Sequence, residues 1–273
     1  MEISYSESES FSNVISFHGS DHKTGVTMLA NSVCSAICRQ HPDYSVMFLG
    51  MNKRPCSDYV REEACGIDDI KIHLDNRTLT SDEIKAMCHC RNNFYMLSGI
   101  RSLLKSRDYF PETAQYLLKT LTGCFDVIIC DAGNEPDNGL VVGALKSSGQ
   151  KYCVLSQCES SIREYEERTW LFRKLDIDFD LFILNKYFTG DPYDPAYLSE
   201  RLGKKREDFI TVRMAGYGRQ AEMEHQTLLE YRNDLFGNDI DALCARILAG
   251  AGLEYKERRR RFGRSVFSGR QTS

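Results

Sequence analysis

Short apolar, β-prone runs alternate with helical patterns along most of this chain, and that alternation fixes the fold class before any single residue does. Candidate strands cover 13–17, 45–49, 94–97, 125–131, 152–156, 181–185 and 209–212. Helical patterns cover 27–39, 81–88, 112–122, 140–147, 161–175, 196–202, 223–235 and 239–249. This order predicts βαβ units: an α/β, doubly wound, mostly parallel sheet with helices on both faces. The run Phe125-Asp126-Val127-Ile128-Ile129-Cys130 is almost continuously apolar, as a strand covered on both faces should be. Strand patterns continue to about residue 212 without an internal repeat or a low-complexity linker, so one domain over 13–252 is expected. An acidic, serine-rich lead-in (1–12) is expected to be disordered, and a tail (253–273) to leave the globule. The stretch 51–80 is the least regular and predicts a loop or small helices.

Composition excludes some classes. The 273 residues, 42% hydrophobic and 27% charged, suit a globular α/β protein. No apolar run approaches the roughly 18 residues of a spanning helix, and the first residues lack the basic and apolar regions of a secretory signal. Eleven cysteines, odd in number and irregularly spaced, predict reduced thiols and a cytoplasmic protein. Cys88-His89-Cys90 lacks the second ligand pair that a structural zinc site needs. The net charge of −4 divides into −10 over residues 1–255 and +6 over 256–273.

The chemistry concentrates after the first strand. His18-Gly19-Ser20-Asp21-His22-Lys23-Thr24-Gly25-Val26-Thr27 joins that strand to a helical pattern, the setting of a phosphate-binding loop, G-x-x-x-x-G-K-[ST]. Aligned on Gly25-Val26-Thr27, the first glycine position holds Ser20 and the lysine position holds Val26. Three other strand ends follow in order: Leu49-Gly50-Met51-Asn52, Asp131-Ala132-Gly133 and Asn185-Lys186-Tyr187. Ligands of open α/β sheets bind outside the carboxyl ends of strands, so the four pieces can meet around one ligand. Backbone N–H groups of Gly19, Lys23, Thr24, Gly25 and Val26 would face phosphates. Thr27 and Asp131 would hold Mg²⁺, and the Asn185 amide would read a base edge. The competing assignments are a helix N-cap for Thr27, a strand-end cap for Asp131 and a turn for Asn185. His18 and His22 are either cationic phosphate contacts or solvated loop residues.

Together these pieces resemble the ParA/MinD superfamily of ATPases with a deviant phosphate-binding loop, and within it the TadZ/CpaE-like proteins that place pilus machinery. The resemblance rests on 14–33, 94–99 (Phe-Tyr-Met-Leu-Ser-Gly), 110–133, 154–157 and 181–187. It implies a seven- or eight-stranded P-loop NTPase sheet, ATP or ADP with Mg²⁺, and a nucleotide-dependent homodimer. It also implies partners in a pilus or secretion platform at the inner face of a membrane; no specific nucleic acid is expected. The chain departs from the pattern K-G-G-x-G-K-T. Asp21 and Val26 replace the two lysines, His22 and Lys23 replace the two glycines, and Gly50 and Asn52 stand where acidic residues would fall. Losing one charge-assisted bond to phosphate costs about 1.5–3 kcal/mol, roughly one to two decades of affinity. Weak or absent hydrolysis is therefore expected, and the alternative is a pseudo-ATPase scaffold that binds protein partners without nucleotide. The 256–270 tail, with Phe262, Val266 and Phe267 among its arginines, either contacts an anionic membrane surface, a nucleic acid or an acidic protein partner, or is a solvated extension.

Overall fold

A computed structural model describes residues 9–256 of the chain. Among them, nine strands form one sheet: β1 (Phe11–Gly19), β2 (Val46–Gly50), β3 (Cys65–Gly66), β4 (His89–Arg91), β5 (Phe94–Ser98), β6 (Val127–Asp131), β7 (Ser148–Ser156), β8 (Leu181–Tyr187) and β9 (Phe209–Arg213). The order is β3-β5-β2-β6-β1-β7-β8-β9, parallel throughout, with β4 added antiparallel to β5. The helices are α1 (Val26–Gln40), α2 (Lys71–Asn76), α3 (Ser81–Cys88), α4 (Pro111–Thr122), α5 (Gly139–Ser147), α6 (Glu159–Lys174), α7 (Pro195–Leu202), α8 (Gly218–Met223) and α9 (Asp234–Gly250). None is long and apolar enough to cross a membrane.

The central strands alternate between two cores, which is why they read as continuous apolar runs. Phe48, Val127 and Ile129 face α1 and α9. Met47, Leu49, Ile128 and Cys130 face α4 and α5 on the opposite side. Beyond β1, Cys153, Leu155, Phe182 and Leu184 pack under α6 and α7. Each such side chain contributes about 1.5–3 kcal/mol on burial. The helices follow local rules: α4 begins with Pro111 in its first turn and buries Ala114, Leu117, Leu118 and Leu121, one stripe at helical spacing. Thr80 and Glu83 form a reciprocal cap on α3.

All seven predicted strands are present. The two extra ones are the two-residue β3 and the short β4, which have too few residues to show alternation. The predicted helix over 223–235 is corrected. α8 ends at Met223, His225 turns the chain with φ 51°, a single 3₁₀ turn spans Leu228–Glu230, and α9 begins at Asp234. Leu228 belongs to the core under α1, so its apolar character reflects a link that is packed rather than helical. Asn233 caps α9 by accepting a bond from the Phe236 N–H (3.2 Å).

The described residues hold only the first residue of the 256–270 segment, so its predicted contacts lie outside them, as do residues 1–8 of the lead-in.

Candidate functional site

The carboxyl ends of β1, β2, β6, β7 and β8 meet at one edge of the sheet, and the 19–27 loop is fastened to them. The Gly19 N–H donates to the Gly133 carbonyl (2.7 Å) and the Ser20 N–H to the Val154 carbonyl (3.0 Å). From β8, Asn185 Nδ2 donates to the Thr24 carbonyl (2.7 Å) and Lys186 Nζ to the Lys23 carbonyl (2.5 Å). The loop needs left-handed backbone at Lys23 (φ 59°) and Gly25 (φ 93°). A Cβ on Gly25 would lie 2.6 Å from Asn185 Nδ2, so space and conformation both demand glycine there. Gly25 also occupies the N-cap position of α1. Thr27 is thus the second helical residue, and its reading as the helix cap is corrected.

The Thr27 hydroxyl instead donates to Asp131 Oδ2 (2.6 Å). Asp131 Oδ1 accepts from the Gly133 N–H (2.9 Å) and from Asn52 Nδ2 (3.2 Å). Asp131 is fully buried; burial pushes its carboxyl pKa up, and the bonds from Thr27 and Gly133 work against that rise. Asn52 also fixes the turn after β2, because its Oδ1 accepts from the Arg54 N–H (2.8 Å). That turn lies directly on Gly99, where a Cβ would fall 2.0 Å from the Arg54 carbonyl oxygen.

Within the loop, Thr24 and Val26 lean over Gly19; a Cβ there would meet Thr24 Oγ1 at 2.5 Å and Val26 Cγ2 at 2.9 Å. Val26 is buried in the core that α1 covers. Asp21 is tied to the start of α6, accepting from Ser160 Oγ (3.0 Å). Asn185 commits an amide N–H to the Thr24 carbonyl of the loop, and it is buried.

A cleft of about 390 Å³ runs along this edge, lined by residues 21–28, 52–56 and 133–135 among others. Its cations differ in availability. Lys53 pairs with Glu135 and with Asp137 (2.8 Å), which raises its pKa. Lys23 and Arg54 are exposed and form no ion pair among the described residues. The sequence places Asn52 at a strand end that can meet the loop and also marks it as a departure, but it gives no sign of Arg54, whose position depends on the turn that follows.

The two histidines separate. His22 is exposed and pairs with Glu135 (3.2 Å). His18 is completely buried beneath the loop, beside the rings of Phe172 and Phe179, and its Nδ1 donates to the Ala132 carbonyl (3.0 Å). It cannot reach a ligand in the cleft. Burial lowers its pKa from 6.5 to about 4. The unfolded chain therefore binds a proton that the folded chain refuses between those two values. The stability gained from keeping His18 neutral is complete above pH 6.5 and is lost as pH falls to about 4. Chemical-denaturation curves across this window should lose up to about 3 kcal/mol from this group. His18→Phe should flatten that part of the profile; an unchanged slope would contradict the assignment.

The Cys88 thiol is buried in the core rather than offered to a metal, and no cluster of three or more His, Cys, Asp or Glu residues among the described residues is arranged to hold one.

Comparison with known proteins supports this architecture. No protein-family model matches the chain, and no curated protein matches it. Solved structures do. A ParA family ATPase from Chlorobium tepidum TLS superposes with a TM-score of 0.73 at 17% identity, covering 85% of this chain and 98% of that one. MinD complexed with Mg-ADP, from Pyrococcus horikoshii OT3, gives 0.65 at 17% identity over 85% and 95%. The MinC:MinD cell division protein complex of Aquifex aeolicus gives 0.64 at 16% identity over 90% and 99%. At these identities the likeness establishes the fold: an α/β, P-loop NTPase-like sheet of the kind these ATPases share.

Proposed function

We propose that this chain binds an adenine nucleotide with its phosphates against the 19–27 loop, and that the bound state organises a protein assembly in space. The observation that carries this reading is the Thr27–Asp131 contact at the edge of a cleft lined by the loop, in a fold shared with a MinD that binds Mg-ADP. The donor set suits Mg²⁺, which is commonly held by one or two carboxylates together with phosphate oxygens and water. Thr27 and Asp131 would hold it, and the ion would neutralise charge on the phosphate oxygens. Backbone N–H groups from Lys23 to Thr27 and the N-terminus of α1 orient the phosphates. Hydrolysis is slow or absent, because Val26 and Asp21 replace the lysines and Asn52 replaces an acid. The resemblance to pilus-positioning proteins supports a nucleotide-dependent homodimer on a membrane-associated or pilus platform, and the MinC:MinD pairing in a structure of the same fold supports a protein partner.

A second reading has its own support. Thr24 and Val26 already close over Gly19, and Asp131 already accepts bonds from three protein donors. A site satisfied from within suits a pseudo-ATPase scaffold that binds partners without nucleotide. Calorimetric titration with Mg-ATPγS separates the two. A micromolar dissociation constant, weakened by EDTA, supports the nucleotide reading. No heat up to millimolar ligand, with an unchanged melting temperature, supports the scaffold.

A further inference from the structure

Four cations stand close enough to the loop to replace the missing lysine, and they are not equivalent. Lys186 has its ammonium bonded to the Lys23 carbonyl, one of the two side-chain bonds, with that of Asn185, that hold the loop to β8. Lys53 is held by Glu135 and Asp137. Lys23 is unpaired among the described residues, but it projects from an exposed left-handed position on the loop itself. Arg54 is exposed and equally unpaired among those residues, and it reaches the cleft from the wall facing the loop.

Arg54 combines that unpaired guanidinium with a backbone fixed next to Asp131. Its N–H donates to Asn52 Oδ1 (2.8 Å), its carbonyl accepts from Cys56 Sγ (3.3 Å), and that carbonyl rests on Gly99. The same Asn52 donates to the Asp131 carboxylate (3.2 Å). One amide therefore ties the position of Arg54 to the carboxylate assigned to Mg²⁺. A guanidinium presents paired N–H donors that match two phosphate oxygens, where an ammonium offers a point charge.

We infer that Arg54 supplies the phosphate-binding cation that the loop lacks, gripping the polyphosphate from the opposite wall of the cleft. This rests on the nucleotide reading above. Asn52 then acts as a positioning residue, and its replacement of an acid has a physical sense: an amide can bridge Asp131 and the Arg54 turn, which a second carboxylate could not do without repulsion.

The test compares wild type, Arg54→Ala, Arg54→Lys and Lys23→Ala by calorimetric titration with Mg-ATPγS. Arg54→Ala should weaken binding about 10- to 100-fold, the size of one charge-assisted contact. Arg54→Lys should recover only part of that loss, and Lys23→Ala, which keeps the loop N–H and removes only an exposed side-chain charge, should cost less than Arg54→Ala. Melting temperatures should match wild type, since neither side chain is paired within the described residues. Wild-type binding with unchanged affinity in Arg54→Ala overturns the inference and leaves the nucleotide reading intact. A larger loss from Lys23→Ala than from Arg54→Ala also overturns it. A wild-type chain that binds nothing removes the nucleotide reading and this inference together.

Discussion

Asp131→Ala is expected to abolish Mg-dependent nucleotide binding and to lower the melting temperature as well. The carboxylate accepts bonds from the Thr27 hydroxyl, the Gly133 N–H and the Asn52 amide, and it is fully buried. Alanine leaves those donors without an acceptor, at about 1–3 kcal/mol for each that stays buried. The Thr27 side chain lines the cleft and can turn to water, but the Gly133 N–H cannot rotate away. A net loss of about 2–4 kcal/mol follows, offset in part by removing a buried charge. Asp131→Asn separates the two effects. It keeps a carbonyl for Gly133, so thermal denaturation should stay close to wild type, while titration with and without EDTA should show Mg-dependence gone. Wild-type affinity in the asparagine variant would remove Asp131 from the metal site.

Val26→Lys is the larger gain. It restores a cation at the position where this loop lacks one, and Mg-ATPγS affinity should tighten by about one to two decades. Val26 packs into the core that α1 covers, so losing its isopropyl group should also cost stability, about 1–2 kcal/mol. Tighter binding in a less stable protein is the combined signature, read by calorimetry and thermal denaturation. Lower stability without tighter binding would mean that Thr24 and the backbone over Gly19 have closed the loop to phosphate, whatever the charge.

What the sequence discloses and what it conceals follow physical lines. The strands of the sheet centre were legible because both faces are covered, so Val127 to Cys130 are apolar without interruption. The start of β7 was not, because Ser148 pairs its hydroxyl with that of Ser16 (2.6 Å) inside the sheet, and a buried serine pair carries no apolar signal. The helix over 223–235 was misread because Leu228 is apolar for a packed turn. At the site, Gly25, Thr27 and Asp131 were legible as a motif and do converge. Asn185 was legible as a strand-end residue, but its grip on the Thr24 carbonyl depends on β8 lying near the loop. His18 sits one residue before Gly19, yet the alternation of β1 turns it under the sheet between aromatic rings. Arg54 carried no signal, because its place opposite the loop comes from a turn folded onto Gly99.

Nucleotide bound in this cleft with its phosphates at the loop has a direct signature in hydrogen–deuterium exchange with Mg-ATPγS. Exchange should slow in 19–29 and 52–56 and stay unchanged elsewhere in the sheet. Saturating ligand that leaves both segments unaffected, or protects only segments away from this edge, would contradict binding there.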